Sequence, residues 1–385
     1  MIPPLDLFLE SKPLYYKHID HKRIKIAFDA IKKRLKFPKV IHVVGTNGKG
    51  STGRMIAHML QKAGFNTAHY TSPHILAFNE RFWLNGNECS DDALEAAHEQ
   101  LYRILDDELR SLLSYFEYTT LLALFVFEEC DYLVLEAGLG GEHDATNVVP
   151  KVLSIITPID YDHQAFLGEK IEEIAATKLK SIDKRAVISF QPHIEVIDIA
   201  EKIAKEKNAQ LVFVRSYHQN DKINKIAKLK KWGSFLCDNA KCACAAIDTL
   251  GIKYDINDLD SWQMMGRYFT YAPNIRLDVG HNILAAKALV GIIEDDTVLI
   301  YNTYEDKPYK EILALLKSKI KKLLIIKIDS QRALSVEKLE STLEDLGIDH
   351  SFFDGKIDER EKYLAFGSFS VVESFLKIMK NLNEK

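Results

Sequence analysis

The chain has 385 residues, beyond the size at which one hydrophobic core usually stays intact, so two domains are expected. Apolar residues make up 47% and charged residues 28%, the balance of an ordinary globular protein in water. With 51 Lys and Arg against 55 Asp and Glu, the formal net charge is only -4. That balance gives no electrostatic ground for a nucleic acid or an anionic membrane as partner, while small anionic ligands need only a local pocket.

The start, Met1-Ile-Pro-Pro-Leu-Asp6, lacks the basic and apolar regions of a signal peptide. No apolar run approaches the roughly 20 residues that span a bilayer. The longest, 121–127, stops at Glu128-Glu129 and is expected as buried core. Five cysteines, an odd number, fit a reducing cytoplasm better than a disulfide framework. Cys242-Ala-Cys244 stands in a helical stretch and reads as buried small side chains rather than a metal site.

Short apolar runs alternate with longer amphipathic stretches, which predicts an α/β fold with a mainly parallel sheet. Residues 40–44 read as a buried strand running into a Gly-rich turn. A helix is predicted over 54–63, with Gly64 as its C-cap. Further strands are predicted at 132–135, 152–156, 187–190 and 211–214, and a helix at 170–182. The Lys-rich stretch 221–232 is expected to be a solvated surface segment. From about Tyr268 a second α/β series begins, with strands at 275–279, 298–301, 323–328 and 363–366. Helices at 310–322 and 336–346 lie between them. The domain boundary is placed between 262 and 272, giving residues 1–265 and 266–385.

Residues 45–51 read Gly-Thr-Asn-Gly-Lys-Gly-Ser, between a strand and a helix. Glycines permit backbone conformations closed to other residues, so successive N–H groups converge on one anion, and the helix adds its N-terminal dipole. Lys49 is expected to reach the β- and γ-phosphates of a nucleotide, and the Ser51 hydroxyl to be placed for magnesium. The match to G-x-x-x-x-G-K-[ST] is imperfect, with Gly50 separating Lys49 from Ser51.

Glu136 ends a buried strand just before Gly138 and Gly140-Gly141, where ligands of open α/β sheets gather. One hard carboxylate beside phosphates and waters is a usual magnesium arrangement. Asp160-Tyr-Asp162-His163 follows the next strand; His163 reads as either a second metal ligand or a structural histidine. Composition alone makes Lys178 a solvated lysine.

These segments resemble a known family. The run His42–Ser51, Thr71-Ser-Pro-His74, Asn79-Glu-Arg81, Glu136-Ala-Gly-Leu-Gly-Gly141, Asp144-Ala-Thr-Asn147 and Asp162-His163 with Leu167-Gly168 are similar to folylpolyglutamate synthase and dihydrofolate synthase, of the Mur ligase superfamily. Gly266-Arg267, Asp278-Val-Gly-His-Asn282, Asp306-Lys307 and Phe366-Gly-Ser368 continue the likeness, in collinear order, through the second domain. The resemblance implies a P-loop ATPase-like N-terminal domain and a smaller Rossmann-like C-terminal domain on the amino-acid side, which closes over ATP.

It also implies an ATP-dependent ligase that joins L-glutamate to dihydropteroate, to folate polyglutamates, or to both, through an acyl phosphate. Thr46, Asn47, Gly48, Lys49, Gly50 and Ser51 would hold ATP. Ser51, Ser72, Glu136 and His163 would serve two magnesium ions. Lys178 matches a lysine that is carbamylated in many superfamily members. Asn239 matches an adenine contact, Arg267 one to phosphate and Asp278 one to ribose, with His281 beside them and with Lys49, His163, Lys178 and His281 as the catalytic set. A monomer in the cytoplasm is implied.

The sequence departs from the family at Thr177-Lys-Leu-Lys180, at Asp278-Val-Gly-His-Asn-Ile283, at Glu142-His143 and at Asp238-Asn239-Ala240. Two alternatives therefore stand beside the first reading: a ligase of the superfamily with another carboxylate acceptor, and a degenerate paralogue that binds ATP without ligating. A cell-wall ligase is disfavoured by the short stretch before the loop, which leaves no room for an extra N-terminal domain.

Overall fold

The apolar runs become the central strands of two sheets in a computed structural model that describes residues 2–13, 22–214 and 220–383. The chain forms two units. The first holds Met1–Ser72, Phe78–Ile226 and Asp238–Trp262; the second holds Pro73–Ala77, Ala227–Cys237 and Gln263–Lys385.

The first unit begins with α1 (Leu5–Glu10), α2 (Arg23–Ile31), β1 (Lys39–Val44), α3 (Lys49–Lys62) and β2 (Thr67–Tyr70). A short hairpin, β3 (Phe82–Leu84) and β4 (Asn87–Glu88), leads to α4 (Asp91–Ile104), α5 (Asp107–Leu112) and α6 (Tyr115–Val126). Then come β5 (Tyr132–Glu136), β6 (Leu153–Ile156), α7 (Gln164–Leu167), α8 (Ile171–Leu179), β7 (Arg185–Ile188), α9 (Ile194–Lys207) and β8 (Gln210–Phe213). Helices α10 (Asn220–Lys230) and α11 (Ser234–Thr249) follow, the end of the first and the start of the second belonging to the other unit.

The eight strands lie in the order β4-β3-β2-β5-β1-β6-β7-β8. All pairs from β2 to β8 are parallel, and only the β3 and β4 pairings are antiparallel. β1 and β5 are apolar almost throughout because both their faces are covered. Helices α1, α2, α4 and α6 pack on Val40, Leu133 and Leu135 of one face, and α8 and α9 pack on Val44, Ile156 and Ile188. On the opposite face, Ile41, Val43 and Val134 are equally buried, and Gly53 of α3 lies against Val134.

The stretch expected to be a solvated segment, 221–232, is instead mostly helix α10, with Ile223, Ile226 and Ala227 buried. Their spacing makes one apolar stripe, while Lys222, Lys225 and Lys228 take the exposed side. Among the described residues no helix is long and apolar enough to cross a membrane. The run 121–127 lies largely within buried α6, as expected.

The second unit contains β9 (Phe269–Ala272), β10 (Ile275–Asp278), α12 (Ile283–Val290), β11 (Thr297–Tyr301) and α13 (Tyr309–Leu316). It continues with β12 (Ile320–Ile325), α14 (Val336–Leu346), β13 (His350–Phe352), β14 (Tyr363–Phe366) and α15 (Phe369–Asn383). The strand order is β13-β12-β11-β14-β10-β9, parallel except for the β9–β10 pair. Helices α12, α13 and α14 cover one face, and α15 covers the other. The helix expected over 310–322 ends at Leu316, and strand β12 starts at Ile320. Its inward set, Ile312, Leu313 and Leu316, stops there, and the lysines beyond belong to a short turn and the strand.

Candidate active site

Register sets the candidate site on the first unit. Val43 of β1 stands opposite Glu136 of β5, and Val44 stands opposite Ile156 of β6, so three neighbouring strands end level with one another. The loop from β1 leaves at Gly45, where a Cβ would come 1.9 Å from Thr157 Oγ1. Gly48 precedes α3 at φ 82°, a left-handed conformation that suits glycine.

Thr46 and Asn47 donate their N–H groups to the carbonyl of Pro158, at 2.8 and 3.2 Å. The Thr46 hydroxyl donates to Asp160 O (3.0 Å) and accepts from Asp160 N (3.1 Å). The first bond of α3 runs from Thr52 N to Gly48 O, so the N–H groups of Lys49, Gly50 and Ser51 have no carbonyl within the helix to donate to. They leave the N-terminus of α3 without a side-chain cap, an arrangement that could receive an anion. Lys49 arcs back over the loop, its Nζ 3.2 Å from Thr46 O and 3.3 Å from Gly45 O. Asn239 of α11 is buried against this loop; a Cβ on Gly48 would meet its Oδ1 at 2.6 Å.

Glu136 is buried at the end of β5 and accepts a hydrogen bond from the Thr71 hydroxyl, next to Ser72. On α3, Arg54 donates from Nε to His69 Nδ1 (3.0 Å) and lies over the Trp83 ring at 4.9 Å. Burial lowers the Arg54 pKa to about 10 against the pull of Glu88, Glu136 and Glu80, so it stays a cation at neutral pH.

Lys178 corrects the expectation from composition: it is 3% exposed. It follows Ile171, Ile174 and Ala175 by seven, four and three positions, on the stripe of α8 that faces the core. Its Nζ donates to Gly45 O at 3.0 Å. Burial, aided by the charge of Lys49, lowers its pKa to about 7, while Asp162 and Asp144 oppose the shift. Asp144, also buried, accepts from the N–H groups of Leu139 (2.8 Å) and Thr146 (2.9 Å) and from the Thr146 hydroxyl. Since that hydroxyl donates to Asp144, the His42 Nε2–H must donate to Thr146 at 2.7 Å, in line with a buried, neutral imidazole.

His163 opens α7 at φ 54°, with Nε2 3.9 Å from Asp162 Oδ2 and its own N–H donating to Asp162 Oδ1 (2.9 Å). Among the described residues no three His, Cys, Asp or Glu side chains gather into a metal-binding group. Hydroxyl, phosphate and water oxygens beside Glu136 are a donor set that suits magnesium.

The second unit carries the other predicted residues. Asp278 ends β10, level with Phe366 of β14. Its Oδ2 accepts from Tyr268 N (2.9 Å) and its Oδ1 from Gly280 N (2.8 Å), while burial raises its pKa. Arg267 donates from Nη1 to Gly266 O (3.1 Å) and lies over the Phe369 ring at 5.4 Å. His281 Nδ1 donates to Val279 O (3.1 Å), which fixes its tautomer, and Asn282 caps α12 by accepting from Ala285 N (2.9 Å). Lys307, Ser368 and Thr303 are buried just past the ends of β11 and β14.

Residues 43–247 match the Mur ligase middle domain, more than half of the chain. A dihydrofolate synthase/folylpolyglutamate synthase of Buchnera aphidicola (subsp. Schizaphis graminum) is 30% identical over 87% of both chains. The folylpolyglutamate synthetase structure of Helicobacter pylori is 41% identical, with a TM-score of 0.80 over 98% of each chain. Escherichia coli FolC, solved with DHPP and ADP, is 26% identical, with a TM-score of 0.84 over 99% of each. The chain belongs to the folylpolyglutamate and dihydrofolate synthases of the Mur ligase superfamily. It is accordingly a ligase of α/β fold, with the larger mainly parallel sheet and the smaller second sheet of that family.

Within this family member, Thr157, Gln191 and His193 beside the loop escape a reading by motif, and Thr71, though it opens one, gains no role from it. Thr71 holds Glu136, Thr157 fills the space at Gly45, and Gln191 and His193 brace 157–160. Thr71 and Thr157 do stand directly after buried strands, a position that could have pointed to their roles.

Proposed function

We propose that the chain uses ATP and magnesium to join L-glutamate to dihydropteroate, to a folate polyglutamate tail, or to both. The observation that carries this reading is the loop at 45–51 set level with Glu136 and over Lys178, in a chain alike to such synthases along its whole length.

A carboxylate resists an amine because its charge repels the nucleophile and oxide is a poor leaving group. The substrate carboxylate oxygen attacks the γ-phosphorus of ATP, the bond to the β-phosphate oxygen breaks, and ADP leaves an acyl phosphate. The glutamate amine then attacks the acyl carbon, loses a proton, and phosphate departs with the electrons of the C–O bond. The N–H groups of residues 49–51 and Lys49 would hold the phosphates in line, a task of positioning and charge. Ser51, Ser72, Glu136 and His163 are proposed as magnesium ligands, and the ions would offset phosphate charge. Asn239 is assigned to the nucleotide from its place against Gly48.

Lys178 is proposed to be carbamylated. A buried amine with its pKa near 7 is neutral often enough to add to carbon dioxide, giving a carbamate and a proton. Arg267 is assigned to phosphate, Asp278 to ribose and His281 to the catalytic set, all on the second unit. Since two N–H groups already occupy Asp278, a ribose hydroxyl would use its remaining lone pairs. We place the enzyme in the cytoplasm as a monomer; no disulfide joins its cysteines.

Rescue of a folate auxotroph lacking both synthase activities tests the reading. Wild type restores growth; Lys49→Ala and Glu136→Ala do not, with turnover down at least about a hundredfold and melting preserved. Failure of folded wild type would favour the ATP-binding paralogue without ligase activity.

A further inference from the structure

Gln191 belongs to no phosphate-binding motif, yet it is buried just past β7 with its amide fully engaged. Oε1 accepts from Ile159 N at 2.9 Å, and Nε2 donates to Thr157 O and Ser189 O, each at 3.2 Å. One peptide N–H and two carbonyls face this side chain, a set that a carboxamide alone completes. A carboxylate would set charge against two carbonyls, and a hydrocarbon would leave three buried backbone groups without partners.

The segment that Gln191 grips is the one to which the phosphate loop is tied. Pro158 O receives Thr46 N and Asn47 N, Asp160 exchanges two bonds with the Thr46 hydroxyl, and Thr157 packs on Gly45. Two residues on, His193 Nε2 lies 2.8 Å from Asp160 Oδ1, and the Tyr161 ring meets the His193 ring edge-on. The turn between β7 and α9 thus fixes residues 157–160 from one side, and the loop leans on them from the other.

We propose that Gln191 is a positioning residue for the nucleotide: by holding 157–160 it sets where the N–H cradle of residues 49–51 stands. This rests on the reading of that loop as the ATP site. Its loss then acts on nucleotide affinity and leaves recognition of the carboxylate acceptor alone. A residue that merely propped β7 would change stability and leave both Michaelis constants as they were.

The test uses the full-length enzyme with magnesium and three variants. Gln191→Met keeps size without hydrogen bonds, Gln191→Glu keeps the acceptor alone, and His193→Phe loosens the same segment while retaining the ring. ADP binding by calorimetry, KM for ATP, KM for the acceptor and melting temperature are measured on each. Loss of three buried bonds is expected to raise the ADP Kd and the ATP KM about tenfold or more in Gln191→Met, with the acceptor KM within about twofold. Gln191→Glu is expected to be weakened similarly, and His193→Phe by about two- to fivefold. A folded Gln191→Met with wild-type ADP affinity and ATP KM overturns the proposal. Should neither Gln191 variant fold, His193→Phe decides, and unchanged ADP affinity there overturns it equally. Wild type that binds no ADP would instead remove the reading of the loop itself, a separate and distinguishable failure.

Discussion

Gly48 and Gly64 flank the same helix at φ 82° and 96°, but their surroundings differ. An added Cβ at Gly64 meets nothing within 4 Å, whereas at Gly48 it meets Asn239 Oδ1 at 2.6 Å. Gly64→Ala should therefore cost about 1–2 kcal/mol of left-handed strain in denaturant unfolding and leave ADP affinity unchanged. Gly48→Ala should cost more and weaken ADP as well, because the buried Asn239 side chain or the loop itself has to shift. Lys178 makes a prediction about pH. Its folded pKa of about 7 lies below the ordinary 10.5, so between those values the unfolded chain binds the extra proton and this residue's contribution to stability rises with pH. The melting temperature of Lys178→Met relative to wild type, in buffer free of carbon dioxide, should be most favourable near pH 6 and decline toward pH 10. A difference independent of pH would contradict the buried, proton-poor lysine.

At the level of elements, helix α10 shows what a lysine-rich composition conceals. Ile223→Ala should cost about 2–5 kcal/mol by chemical unfolding, while Lys225→Ala on the exposed side should stay within about 0.5 kcal/mol. Equal, small effects would mean that the helix is not packed. Its apolar stripe is only three residues among many charges, too narrow a signal to outweigh composition. The same cause hid Lys178: a titratable residue reads as solvated until the stripe of Ile171, Ile174 and Ala175 is extended by one turn. By contrast α14 was legible at both ends, from Ser335, which caps it, to Gly347 at φ 63°. The loop at 45–51 was legible because strand, glycines, lysine and helix are contiguous. Gln191 and the bond from Thr71 to Glu136 were not, since they depend on strands that meet only in the sheet.

Across the whole molecule, the motifs run in collinear order through both units. The second unit also takes Pro73–Ala77 and Ala227–Cys237, two short segments that no composition shift marks out. The cradle and Glu136 lie on the first unit, and Asp278, Arg267 and His281 lie on the second. The departures at Lys178 and Asp278 leave the side chains themselves in place, both buried and hydrogen-bonded. The most direct measurement is phosphate release by the purified enzyme, with each substrate omitted in turn and the product weighed. ADP and phosphate should appear only when ATP, magnesium, L-glutamate and a pteroate or folate are all present, with a product heavier by one glutamyl residue. Comparing dihydropteroate with a tetrahydrofolate then separates the two activities. Robust turnover without a pterin acceptor, or a product that has gained no glutamate, would contradict the account.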